Sequence, residues 1–192
     1  IITEKIYGRE DEIKTILNSY KKIVYGKTRL ILVGGSSGTG KTALVNEVKR
    51  PITEHNGNFY SGKYDQLNKK IPFSSVIQAL NIGLDEILLS ANAQIWKESL
   101  QKKLGDNISL LLHYFPKLNA LFSVSKKFVV SNNTKEGQHL INSVFATLIN
   151  SMKDNDRPLV LFLDDLQWAD SSTLSLVKHL ITDPNEKNLL II

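Results

Sequence analysis

The chain has 192 residues, a formal charge of +5 and a calculated isoelectric point of 9.3, with 42% hydrophobic and 22% charged residues. That composition excludes a disordered chain and, with no Cys, a disulfide-stapled miniprotein; the length suffices for one domain with its own core. No apolar run approaches the ~20 residues that span a bilayer, and Ile1-Ile-Thr-Glu-Lys5 lacks the layout of a secretory signal, so no membrane insertion and a cytoplasmic location are expected.

After Tyr7-Gly-Arg-Glu10, apolar residues at Ile13, Ile16, Leu17, Tyr20, Ile23 and Val24 keep helical spacing, which predicts an amphipathic helix that Gly26 stops. Arg29 to Val33 reads as a first core strand, β-branched and apolar on both faces like a buried parallel strand. Thr42 to Arg50 reads as the next helix, with Ala43, Leu44, Val45 and Val48 facing inward and Pro51 near its end. Asn56-Gly57 signals a turn into a second strand, Asn58 to Tyr64. A long, mostly helical insertion over residues 73–153 follows: Phe73 to Leu89, Ala93 to Leu104, Ile108 to Phe115 and Glu136 to Lys153. Within it, Phe128 to Thr134 reads as a loop or a short strand. Leu159 to Leu163 is the next strand, Ser171 to Ile181 the next helix and Leu189 to Ile192 a final strand. Alternating strands and helices argue for an α/β layered fold with a parallel sheet and right-handed crossovers.

The first strand runs into Gly35-Ser36-Ser37-Gly38-Thr39-Gly40-Lys41-Thr42, and Ala43 follows in the helix. Glycines there let the backbone curl its N–H groups inward around phosphate oxygens, and the helix start adds the positive end of its dipole. Lys41 is the side chain for the β- and γ-phosphates and the Thr42 hydroxyl is the Mg²⁺ ligand that this spacing implies. Pro158-Leu-Val-Leu-Phe-Leu-Asp-Asp165 has the pattern of a Walker B strand. It lifts Asp164 to the carboxyl end of a buried strand, where it can hold Mg²⁺, and leaves Asp165 to orient or deprotonate a water. Asp170 before Ser171-Ser-Thr173 reads as a helix cap and Trp168 as a packing residue, while Gln167 reads as an exposed loop residue or, alternatively, a sensor of the γ-phosphate through a water. His55, His113, His139 and His179 lack metal-ligand spacing. The lysines occur as scattered pairs (Lys21-Lys22, Lys69-Lys70, Lys102-Lys103, Lys126-Lys127), which argues against a nucleic-acid partner despite the basic charge.

Tyr7-Gly-Arg-Glu10, Gly35 to Thr42, Gly62-Lys-Tyr-Asp-Gln66, Ile71-Pro-Phe-Ser74 and Leu163-Asp-Asp-Leu-Gln-Trp-Ala-Asp170 together resemble the AAA-type predicted ATPase module of STAND signal-transduction proteins, similar to the origin-recognition branch of AAA+ ATPases. The resemblance covers Tyr7 to the last residue. It implies a P-loop NTPase three-layer sandwich, ATP and Mg²⁺ as ligands, and Tyr7, Gly8 and Arg9 near the adenine. It also implies Asp164 and Asp165 at metal and water. Partners implied are ATP and ADP, neighbouring domains of the same polypeptide and a nucleotide-dependent oligomer. The second acid is usually Glu in such relatives and is Asp165 here. Relatives continue past the last strand with a sensor residue, another strand and a lid. The chain is therefore expected to be a fragment of a longer protein, with the C-terminal part of the fold absent and an unpaired outer edge on the first strand. The implied function is an ATP-driven switch with slow hydrolysis. Its alternatives are a nucleotide-dependent scaffold without turnover and a DNA-associated ATPase.

Overall fold

The computed structural model describes residues 8–36, 38–64, 71–122, 134–153 and 157–192. Among them are seven α-helices and four strands: α1 (Glu10–Val24), β1 (Thr28–Leu30), α2 (Lys41–Glu54), β2 (Asn58–Lys63), α3 (Ser74–Leu88), α4 (Ala93–Leu104), α5 (Ile108–Tyr114), α6 (Lys135–Ser151), β3 (Leu159–Asp164), α7 (Ser171–Thr182) and β4 (Leu189–Ile191). Tyr7, Ser37, Asp65, Gln66 and the 128–133 part of the ambiguous loop or strand lie outside the described residues.

The sheet is parallel throughout, in the order β1-β4-β3-β2. Its alternating side chains sort into two cores, as a period of two requires. Phe59, Val160, Phe162, Leu190 and Ile192 pack with Ile16, Tyr20 and Ile23 of α1 and Leu44, Val45, Val48 and Ile52 of α2. Tyr60, Leu159, Leu161, Leu163, Leu189 and Ile191 face the opposite core, built with α3 to α7. The result is three layers. The second core is anchored by Phe73 stacked on Phe145 at 4.7 Å, with the Tyr114 ring edge-on to both.

Three expectations need correction. β1 spans only Thr28–Leu30, with β4 as its one partner among the described residues, and the apolar run beyond it is not buried on both faces: Leu32 is 71% exposed. Past the bond from Ile31 N–H to Ile191 O the chain leaves the sheet, so Leu32 belongs to the connection and not to the strand. Among the described residues the outer edge of β1 has no strand partner. Helix α2 does not end at Pro51 but runs through it to Glu54. Pro51 deprives the helix of one backbone donor, yet the last turn closes around fully buried Ile52, whose carbonyl receives the N–H groups of His55 and Gly57. Ala43 does not face inward but is exposed, because it sits off the Leu44, Val45, Val48, Ile52 stripe that meets the sheet.

Candidate functional site

The glycine-rich sequence Gly35 to Thr42 connects β1 to α2 at the carboxyl end of the sheet. Gly38 and Gly40 both have φ of +80°, a left-handed backbone that glycine adopts without a Cβ penalty. Gly40 is the N-cap of α2, and the first helical bond runs from Leu44 N–H to the Gly40 carbonyl at 2.8 Å. The N–H groups of Lys41, Thr42 and Ala43 precede that bond and so have no acceptor within the helix. A side chain at Gly35 would stand 2.9 Å from Thr39 Oγ1, so the loop closes tightly there. Thr39 Oγ1 donates to Ser36 O at 2.9 Å. The Lys41 ammonium lies over the same turn, donating to the carbonyls of Gly35 (2.9 Å) and Ser36 (2.8 Å). Arg9 braces the loop from the α1 side, with one guanidinium nitrogen on Thr39 O at 3.1 Å and another on Glu12 at 2.9 Å. Gly8 precedes it with its N–H on Glu10 Oε1 at 3.2 Å.

The acidic end of β3 meets this loop directly. Thr42 Oγ1 donates to Asp164 Oδ2 at 2.9 Å, joining residues 122 positions apart. Asp164 is buried, and its other oxygen accepts the Asp165 N–H at 3.0 Å. Asp165 sits in the left-handed region (φ +59°, ψ 41°), a conformation Asp tolerates better than most residues. Its Oδ1 accepts Gln167 Nε2 at 3.0 Å, and its Oδ2 faces the Lys63 ammonium at 3.5 Å. Each oxygen of Asp165 therefore has one neighbour and keeps acceptor capacity to spare. Gln167 is exposed and Trp168 half-buried.

Lys63 is the residue that sequence reasoning missed. It closes β2, in register with Asp164, and its own N–H donates to Gln78 Oε1 at 2.7 Å. The signal was the Gly62-Lys63-Tyr64 string, but its use depends on β2 and β3 being neighbours. The neighbouring glycine also acquires a reason: a Cβ at Gly62 would lie 1.9 Å from the Ser75 carbonyl, so the start of α3 rests on bare β2 backbone. Asp170 caps α7 as expected, accepting Thr173 N–H at 3.0 Å and Thr173 Oγ1 at 2.6 Å. It also accepts the N–H of Phe73 at 3.1 Å. Phe73 holds a left-handed backbone (φ +61°) at the N-cap of α3. The Ile71-to-Ser74 and Leu163-to-Asp170 strings thus meet at one carboxylate. Beside it the phenol of Tyr64 is buried, which pushes its pKa up to about 12, with the Asp170 charge adding to the shift.

The donor set around Asp164 suits a hard cation. A carboxylate and a hydroxyl, both oxygen donors held 2.9 Å apart on different elements, match the sparse protein ligation of Mg²⁺, which keeps waters and phosphate oxygens for its other positions. Among the described residues no group of three or more His, Cys, Asp or Glu side chains offers an alternative metal site.

A parallel three-layer sheet, with a glycine loop opening one helix and an acid at the end of a strand reached by that helix's first hydroxyl, defines a P-loop NTPase-like fold. The profile of the family described as AAA ATPase domain matches residues 5–192, and the chain belongs to that family. It is 35% identical over 183 residues to hybrid signal transduction histidine kinase G of Dictyostelium discoideum, a match covering 94% of this chain and 5% of that protein. It is 22% identical over 196 residues to histidine protein kinase 1 of Candida albicans, covering 92% of this chain and 8% of that protein. The chain spans less than a tenth of the length of either relative. No helix among the described residues is long and apolar enough to cross a membrane.

Proposed function

We propose that this domain binds Mg-ATP and hydrolyses it slowly, as a nucleotide-dependent switch within a multidomain signalling protein. The observation that carries the reading is the Thr42–Asp164 hydrogen bond, which brings the helix after the glycine loop and the acid strand to one point. In this reading Gly35 to Thr42, with Ala43, enclose the phosphates through backbone N–H groups. Lys41 exchanges the carbonyls of Gly35 and Ser36 for phosphate oxygens, which its three donors serve better as charge-assisted bonds. Thr42 and Asp164 would hold Mg²⁺, which when bound neutralises charge on the phosphates.

Asp165 accepts the proton of the water that attacks the γ-phosphorus, giving ADP and inorganic phosphate. A water there would share the carboxylate with Gln167 and with the Lys63 ammonium, whose charge makes it a weaker base. A weakened base supports slow turnover, and it also favours the second reading of a scaffold that binds without turnover. The bond from Arg9 to the Thr39 carbonyl supports a place for Arg9 and the preceding Gly8 beside the nucleotide; with Tyr7 these are the residues proposed to lie near its adenine. The signalling role rests on likeness to the two kinases, and the neighbouring domains of such a polypeptide are the proposed partners.

Calorimetry with ATP, with and without Mg²⁺, together with phosphate release on the same protein, tests the reading. Magnesium-dependent ATP binding with measurable release supports the switch. Binding without release selects the scaffold, and no binding in either condition removes both.

A further inference from the structure

At the opposite end of the sheet, where β2 and β3 begin, a cavity of about 290 Å³ opens between α3, α4 and α6. It is about 17 Å from the site just described, the length of a six-residue strand. The residues that matter in its wall are Tyr60, Glu86, Asn92, Trp96, Met152 and Arg157. Tyr60 OH donates to Glu86 Oε2 at 2.8 Å, which fixes that carboxylate and leaves its other oxygen available. The Trp96 indole is fixed as a wall by Nε1 bonds to Ser151 O (3.2 Å) and Oγ (3.1 Å). Lys153, also in the lining, is taken up by a buried ion pair with Glu186 and a bond to the Lys187 carbonyl at 2.6 Å.

Arg157 is different. It is exposed, makes no side-chain hydrogen bond or ion pair with any described residue, and its charge acts on the Tyr60 phenol. Glu86 and Arg157 face one cavity without pairing with each other. Opposite charges that line one cavity together with aromatic and apolar side chains are complementary to a ligand that carries both charges itself.

We infer that this cavity binds a free amino acid as its zwitterion. The carboxylate would take the bidentate fork of Arg157. The ammonium would sit on the free oxygen of Glu86, against the Tyr60 and Trp96 rings, which favour cations. The side chain would lie on Met152 and Ile87. Size agrees with the class: about 290 Å³ is at the lower limit of ligand pockets and has room for one amino acid. This site stands apart from the nucleotide reading and survives its failure.

The test is calorimetry of the 192-residue chain against the twenty protein amino acids, β-alanine and γ-aminobutyrate. We expect at least one to bind with Kd below about 1 mM. Its N-acetyl and carboxamide forms should bind at least about tenfold more weakly, since each removes one charge-assisted contact. Arg157→Gln and Glu86→Gln should each weaken binding by a similar factor. Both residues are exposed, so the variants should melt like the parent. Asn92→Trp, which narrows the cavity from its rim, should also block binding, and Lys41→Ala should leave it unchanged. The inference is overturned if no compound of the panel binds at about 10 mM, or if both charge variants bind the best compound within about threefold of the parent.

Discussion

The phosphate loop and the acidic end of β3 touch through one hydrogen bond, yet they are held in opposite ways. Residues 34–36 and 38–40 are exposed and kept in shape by contacts within the loop and from Arg9. Asp164 is buried at the end of a strand whose six residues are all buried, and the loop that follows is tied to β2, α3 and α7. One half of the site can reshape around a ligand; the other gives it a fixed reference. Lys41 spends its donors on neighbouring carbonyls that an anion would outcompete, whereas the acids are set by long-range packing.

Lys41→Ala strikes the adaptable half. ATP affinity should fall by about 100-fold or more, through loss of charge-assisted bonds, while the melting temperature stays unchanged because Lys41 contacts only its own loop. Calorimetry and a melting curve on one sample check both. Asp165→Asn addresses the fixed half: phosphate release should drop by about 100-fold with ATP affinity within about threefold. Equal losses in both would mean that Asp165 binds rather than catalyses.

Asp170→Ala should cost about 2 kcal/mol of folding stability by urea unfolding, since it removes the cap of α7 and the acceptor for Phe73. A stability loss under about 0.5 kcal/mol would show that the carboxylate does not link the two helices. Lys63→Met should leave stability within about 0.5 kcal/mol, since the Lys63 side chain is exposed and its ion pair long at 3.5 Å. It should change phosphate release severalfold, because Asp165 loses one of its two partners.

The smallest effect concerns pH. Burial raises the Tyr64 phenol from 10.0 to about 12, so the unfolded chain ionises first on the alkaline side. Its stabilising contribution is whole below pH 10 and is lost as pH rises towards about 12. Tyr64→Phe should flatten that part of the stability profile, leaving a residual slope from Tyr60, whose phenol is also raised by burial.

What could be read from the sequence was what short-range chemistry encodes. The period of α3 to α6, the loop before Lys41 and the acids after Leu163 each announce themselves within a dozen residues, and the Asp170 cap within three. The strand at Arg29 to Val33 and that at Leu159 to Leu163 look alike as strings, but among the described residues one has sheet on a single side and the other on both. Only the strand order decides that. The Lys63–Asp165 pair was hidden for the same reason, since register between β2 and β3 is a property of two distant segments. Pro51 misled because local propensity against a helix yielded to the burial of Ile52.

The bare backbone at Gly62 has one more consequence. With no side chain between β2 and the first turn of α3, those two elements meet like a key in its keyway, without slack. The carboxyl end of the strand therefore bears directly on the first turn of α3, whose N-cap Phe73 is stacked in the aromatic centre of the helical layer.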